Sequence, residues 1–145
     1  MKAFIALALL TIPTANAATL IKADRMPGFE RMPQHREFVL DSSGKMTLTI
    51  EGFRDQKKEV EVLGQLSKKV VARIATRIDE LAEKSELVDP RKGEPMCMDA
   101  PSFSVSVFKG EKEIVIERRA GCHSAQINDY GVDELTGMAN LFLNF

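Results

Sequence analysis

Residues 95–101 read PMCMDAP, which sets the Cys97 thiol between the thioethers of Met96 and Met98, while the second cysteine, Cys122, stands directly before His123. Three chemistries are open to such a set. Thiolate, thioether and imidazole together hold soft metal ions. A thiolate beside an imidazole base attacks carbonyl groups. Two thiols can also join as a disulfide, which removes both reactivities. The spacings favour the last. Met96, Cys97, Met98, Cys122 and His123 fit no common metal-ligand pattern. Successive side chains of a strand point to opposite sides, so His123 does not easily serve Cys122 as a base, and His35 is the other histidine on offer. The expectation is a structural bond between Cys97 and Cys122, with no metal, no cofactor and no catalytic residue.

The elements that would bring the two sulfurs together are strands. Phe103, Val105 and Val107 alternate with serines before the turn residues Lys109 and Gly110, and Ile114 and Ile116 alternate with Glu113, Val115 and Glu117 after them. This is the pattern of a hairpin with one oily face. With Lys109 and Gly110 as the central turn residues, opposed positions have numbers summing to 219, so that Phe103 faces Ile116 and Val105 faces Ile114. Shifting the sum by one would mix the two faces. Cys97 and Cys122 satisfy the same sum, which sets them opposite one another on the oily side if the strands stay in register past Pro101. Closing a ring of about 26 residues would stabilise the fold by roughly 3 kcal/mol.

Such a bond needs an oxidising compartment, and the N-terminus indicates one. Residues 1–17, MKAFIALALLTIPTANA, place Lys2 ahead of an apolar run and close on Ala15-Asn16-Ala17, the order of a secretory signal cleaved after Ala17. The run is too short for a spanning helix, and no later stretch approaches the roughly 20 apolar residues a span needs. Removing 17 of 145 residues leaves a periplasmic or secreted chain of 128, enough for one domain with its own core. Loss of Lys2 reduces the 20 basic side chains to 19 against 21 acidic ones. That balance encodes no bulk attraction to nucleic acid or to anionic membrane. Without tryptophan, and with Tyr130 as the single tyrosine, aromatic cages and base-stacking platforms are hard to build.

Residues 18–36 carry Pro27, Gly28 and Pro33 among mixed charges and read as an extended or flexible arm, in which Arg25-Met26-Pro27 recurs as Arg31-Met32-Pro33. Residues 37–145 read as a single α+β domain. It opens with a hairpin: Phe38 and Leu40, the turn cluster Asp41-Ser42-Ser43-Gly44, then Met46, Leu48 and Ile50. Val60 and Val62 alternate with glutamates in a further strand over residues 58–63. The period then changes. Val70, Val71, Ile74, Ile78 and Leu81 share one face of a helix over residues 68–84, with Ser67 as its N-cap. Val132, Leu135, Met138, Ala139 and Phe142 mark a last helix opening near Asn128 or Asp129, weakened by Gly131 and Gly137. The expected architecture is one antiparallel sheet of four to five strands with both helices packed on one face. MTLTIEG, KKEVEVLG and the first helix match SVSVFKG, EKEIVIERR and the last in order and polarity, so the chain reads as a duplicated ββα unit or as two hairpins alike without common origin.

Lys69, Arg73 and Arg77 recur every four residues along the first helix, a basic stripe able to dock an anionic partner or to stand as solvated surface beside Asp79, Glu80 and Glu83. Arg119 occupies the place where a haem-attachment motif ending in Cys122-His123 needs its first cysteine. Neither a Gly-rich phosphate loop nor a GxSxG elbow is present. The order of strands and helices is loosely similar to small bacterial protease-inhibitor domains of the emfourin type, with no diagnostic motif in common. The functional expectation is a small exported non-catalytic binding or accessory protein of the bacterial periplasm or exterior, its partner another protein or an envelope component. The alternatives are a protease inhibitor, and an envelope thiol enzyme or metal-handling protein built on Cys97, Cys122 and His123.

Overall fold

A computed structural model describes residues 17–28, 33–54, 57–81, 87–88, 93, 100–127 and 132–143. Its strands are β1 (Thr19–Met26), β2 (Gln34–Asp41), β3 (Lys45–Gly52), β4 (Lys58–Gln65), β5 (Leu87–Val88), β6 (Ser102–Lys109), β7 (Lys112–Ala120) and β8 (His123–Ile127), with helix α1 (Lys68–Leu81) after β4 and α2 (Val132–Leu143) after β8. All eight strands join one antiparallel sheet in the order β4-β3-β2-β1-β6-β7-β8-β5. The α+β class stands, but the expectation of four to five strands is corrected to eight.

The largest correction is β1. The segment expected to lead into the domain as an arm is extended, but it lies at the centre of the sheet, paired on one side with β2 and on the other with β6. Ile21 and Ala23 are fully buried there, and Lys22 and Asp24 alternate with them towards the open face. The alternation is the ordinary period of a half-buried strand. It is faint in the sequence because one of the two buried residues is an alanine. The second copy of the Arg-Met-Pro repeat, at Arg31 and Met32, lies outside the described residues.

One cluster of buried side chains spans the sheet and both helices, including Ile21, Phe38, Leu40, Val105, Val107 and Ile116 from the strands and Ile74, Ile78, Leu135 and Leu143 from the helices. α1 is capped as its sequence predicts, Ser67 Oγ accepting from the Val70 amide at 3.4 Å. Helix α1 packs against β6, whereas α2 packs chiefly against β1 and β2. Each helix therefore crosses the β1/β6 seam to cover strands of the other half of the chain. The expected equivalence of β3-β4-α1 with β6-β7-α2 does not match this topology, because β8 stands between β7 and α2.

The β6–β7 register also departs from expectation. Lys109 pairs with Lys112, so Gly110 and Glu111 are the central turn residues. Gly110, with φ 61°, supplies the positive φ that the first central position of a two-residue hairpin turn demands. The register then slips once more at a bulge between Val105 and Ser106, beyond which Val105 faces Glu117 and Phe103 faces Arg119. A bulge sets two residues against one, so Ile116 and Glu117 together oppose Val105.

The β2–β3 turn is fixed by Asp41. Its Oδ1 accepts from the Ser43 hydroxyl at 2.6 Å, the Ser43 amide at 2.9 Å and the Lys45 amide at 3.1 Å. Partial burial pushes this carboxyl up, but the Ser43 hydroxyl, the Lys45 and Ser43 amides and the Lys45 charge outweigh it and hold it below its ordinary 3.8. A depressed carboxyl stabilises the fold above its unfolded value and loses that contribution as pH falls through the folded one. Asp41→Asn is therefore expected to be less stable than the wild type by about 1 kcal/mol at neutral pH. The difference should persist down to pH 3.8 and shrink below it in urea-unfolding series; a gap independent of pH would contradict this account.

Candidate functional site

Cys122 is where the sequence reading concentrated its chemistry. It sits exposed in the tight turn between β7 and β8, followed by His123 as the first residue of β8. It is disulfide-bonded and carries no titrating thiol, and no described cysteine is free. No cysteine pair appears among the described residues, because Met96, Cys97 and Met98 lie outside them. The derivation that set Cys97 across from Cys122 on the oily face is corrected: β6 begins only at Ser102, the register has shifted, and Cys122 is at a turn rather than on a strand. Among the described residues no group of three or more His, Cys, Asp or Glu side chains is arranged to hold a metal ion. None of the described helices is long and apolar enough to cross a membrane.

The basic stripe falls on the exposed side of α1. Lys69 is exposed, while Arg73 donates to Glu134 Oε1 of α2 at 2.8 Å and Arg77 pairs with Glu80 at 2.6 Å. The arginines thus link the two helices and brace the first. Exposed pairs of this kind contribute little, roughly 0–1 kcal/mol.

The open face of the sheet carries an ion network. Lys22 Nζ lies 2.9 Å from Glu37 and 3.5 Å from Asp24, and His35 Nε2 lies 3.1 Å from the same aspartate. The hydrogen bond with Glu37 raises the Lys22 ammonium above its ordinary 10.5, with burial opposing and Asp24 reinforcing it. At the end of this face Met26, His35, Glu51, Gly52 and Phe53 line a shallow cavity of about 210 Å³.

Further across the same face lies β4, which ends the sheet. Thr49 pairs with Val60 and Thr47 with Val62, so both valines project from the open face, 62% and 59% exposed. Glu59 and Glu61 take the opposite side, across from Ile50 and Leu48. β4 is therefore an eight-residue edge strand, with Val60 and Val62 beside Lys58 on one face and Glu61 and Glu59, the latter paired with Lys57, on the other. The alternation of valine and glutamate was legible in the sequence; which face it presented was not, because only the pairing with β3 sets it.

Sequence reasoning also missed a group at the helix-covered end of the sheet. Arg36, Arg25, Phe103 and Arg119 form a lateral row across β2, β1, β6 and β7. Beside them Glu117 is 2% exposed and accepts from Arg119 Nε at 2.6 Å. Nothing in the spacing of these residues signals the row. It depends on β1 being central and on the bulge that turns Glu117 inward. Set beside known proteins, the chain matches no protein-family model and no curated protein.

Proposed function

We propose that the protein is a small non-catalytic binding or accessory protein, exported to the bacterial periplasm or exterior, which takes up an extended segment of a partner protein along the β4 edge. The observation that carries this is β4 itself. Sheet proteins usually shorten, bend or cover their edges, because unpaired strand amides and carbonyls invite another strand. Among the described residues the opposite edge strand, β5, spans two, whereas β4 keeps eight and displays Val60 and Val62 beside them. An incoming strand gains main-chain hydrogen bonds and rests alternate side chains on the two faces. Export rests on residues 1–17 alone.

The two faces of β4 describe the segment that fits. Apolar side chains meet Val60 and Val62, and basic ones meet Glu59 and Glu61. A second copy of the chain fits poorly. Pairing Val60 with either valine of an antiparallel copy sets Glu61 against Glu59 or against itself, and like charges directly opposed are destabilising. A protease inhibitor is one concrete form of such a binder.

The test uses two peptides, one alternating lysine with valine and one alternating glutamate with valine, titrated by fluorescence anisotropy. The basic peptide is expected to bind better, and Glu59→Lys with Glu61→Lys is expected to reverse the preference. Each cross-strand pair contributes roughly 0.2–1 kcal/mol, so the reversal should be several-fold. Failure of both peptides to bind, or an unaltered preference in the double variant, removes the proposal.

A further inference from the structure

The cavity of about 210 Å³ at the end of the open face is built from three adjacent strands. Met26 closes β1, His35 lies near the start of β2 directly across from Glu51 of β3, and Phe53 follows β3. Strand alternation sets Met26, His35 and Glu51 on this one side. Two large apolar side chains stand out of the core here, Phe53 at 55% and Met26 at 44% exposure. An apolar patch rimmed by polar groups is the form of a contact surface.

Among the described residues the polar groups of this lining are acceptors. The Gly52 and Phe53 amides already donate, to the Lys57 carbonyl at 3.1 Å and to the Pro33 carbonyl at 3.2 Å. His35 Nε2 lies 3.1 Å from Asp24 Oδ1, and because an ionised carboxylate only accepts, Nε2 is the nitrogen that carries the proton. A neutral imidazole so held keeps Nδ1 as an acceptor. Glu51 adds a carboxylate. Lys58 stands across from it on β4, but both are exposed, so water screens their attraction. Acceptors of this kind suit a cation rich in donors, and the walls choose which cation. A guanidinium is planar and weakly hydrated, stacks on aromatic faces and forks onto a carboxylate, whereas an ammonium is compact and strongly hydrated. Phe53 and Met26 favour the first. The volume lies below the roughly 300 Å³ at which drug-sized ligands begin to fit, so it holds a single side chain.

We propose that this cavity binds an arginine side chain of a partner protein, its guanidinium set against the Phe53 ring and the Met26 thioether and paired with the Glu51 carboxylate. Asp24 acts through His35, fixing Nδ1 as the acceptor of the ring. Lys58 competes with the guanidinium for Glu51 and lowers the affinity. The site is made by β1, β2 and β3 and uses none of the outer main-chain groups of β4, so it stands or falls independently of the edge.

The experiment titrates the folded protein with acetyl-arginine amide and, separately, with acetyl-lysine amide, against sodium chloride at matched ionic strength, following the NMR signals of the Phe53 ring, the Met26 methyl and the His35 ring. A single blocked residue is too short to add a strand to β4, so the outcome does not depend on the edge. Saturable shifts are expected with the arginine probe, several-fold weaker binding with the lysine probe and no saturable response to the salt. Glu51→Gln is expected to weaken arginine binding several-fold, the scale of one screened ion pair. Phe53→Leu, which keeps an apolar wall and removes the ring face, should weaken it about two- to fivefold. Lys58→Gln, which removes the competitor, is expected to tighten it. No saturable shift, equal binding of the two probes, or wild-type affinity in either Glu51→Gln or Phe53→Leu overturns the proposal. Both of those side chains are exposed, so both variants are expected to keep the fold; should either not, Lys58→Gln decides, and unchanged or weaker binding there overturns the proposal equally.

Discussion

A chain that begins at Pro33, lacking β1, is expected not to fold, whereas the chain from Ala18 is expected to unfold cooperatively. Were residues 18–32 an arm outside the domain, their removal would change stability by no more than roughly 0.5 kcal/mol. Their position decides otherwise. β1 pairs with β2 from Thr19–Asp41 to Arg25–Arg36 and with β6 from Ile21–Val107 to Met26–Ser102, so its removal leaves two unpaired strands facing a gap. The gap cannot close cheaply. β2 and β6 are each antiparallel to β1 and hence parallel to one another, and a β2–β6 ladder would need a different hydrogen-bond pattern and a shift of half the sheet by about 4.8 Å beneath the helices. The buried Ile21 would also be lost. Collapse of proton–nitrogen correlation spectra and a non-cooperative urea profile in the shortened chain are the expected results; a dispersed spectrum and a sharp transition would show that β1 is dispensable.

That expectation opposes what the residues of β1 suggest when read alone, and the contrast shows what was legible. α1 was visible because Val70, Ile74, Ile78 and Leu81 keep a strong helical period behind Ser67. The β2–β3 and β6–β7 hairpins were visible because two or three apolar side chains alternate on each strand around turn residues. β1, β8 and β5 were not. Their burial comes from neighbours on both sides or from the sheet's far end, and short or polar strands such as HSAQI carry little period of their own. Register was harder still. The apolar face of β6 was assigned correctly, since Phe103, Val105 and Val107 are buried, but its opposed pairs were not, because Ile114 lies across from Val107 rather than Val105. The turn was placed one residue early, and the bulge was invisible because nothing local marks it. Both errors fall on the same residues. They hid the inward turn of Glu117, the approach of Arg119 to Phe103 and the turn position of Cys122. Likewise the exposed valines of β4 required the β3 ladder, not the strand's own alternation, to acquire a side.

Phe38→Ala is expected to destabilise the protein by about 3–5 kcal/mol, which approaches the whole stability of a marginal domain. Phe38 is fully buried on β2 and stacks on Phe142 of α2, ring centroids 5.2 Å apart and planes 6° from parallel. Truncation removes the apolar surface that both elements share and leaves a cavity that the close-packed neighbours refill only in part. Phe142→Ala should cost less, because that ring is only partly buried at the edge of the core. The informative quantity is their coupling. Because α2 belongs to the second half of the chain and packs on strands of the first, Phe38 and Phe142 are expected to show an interaction energy of about 0.5–1.5 kcal/mol in a double-mutant cycle measured by urea unfolding. Strict additivity would mean that α2 does not rest on β2 in solution. A substantial coupling would instead mean that unfolding of either half strips the other of its helical cover, so that the two halves, joined at the β1/β6 seam and interlocked by their helices, must melt as one unit.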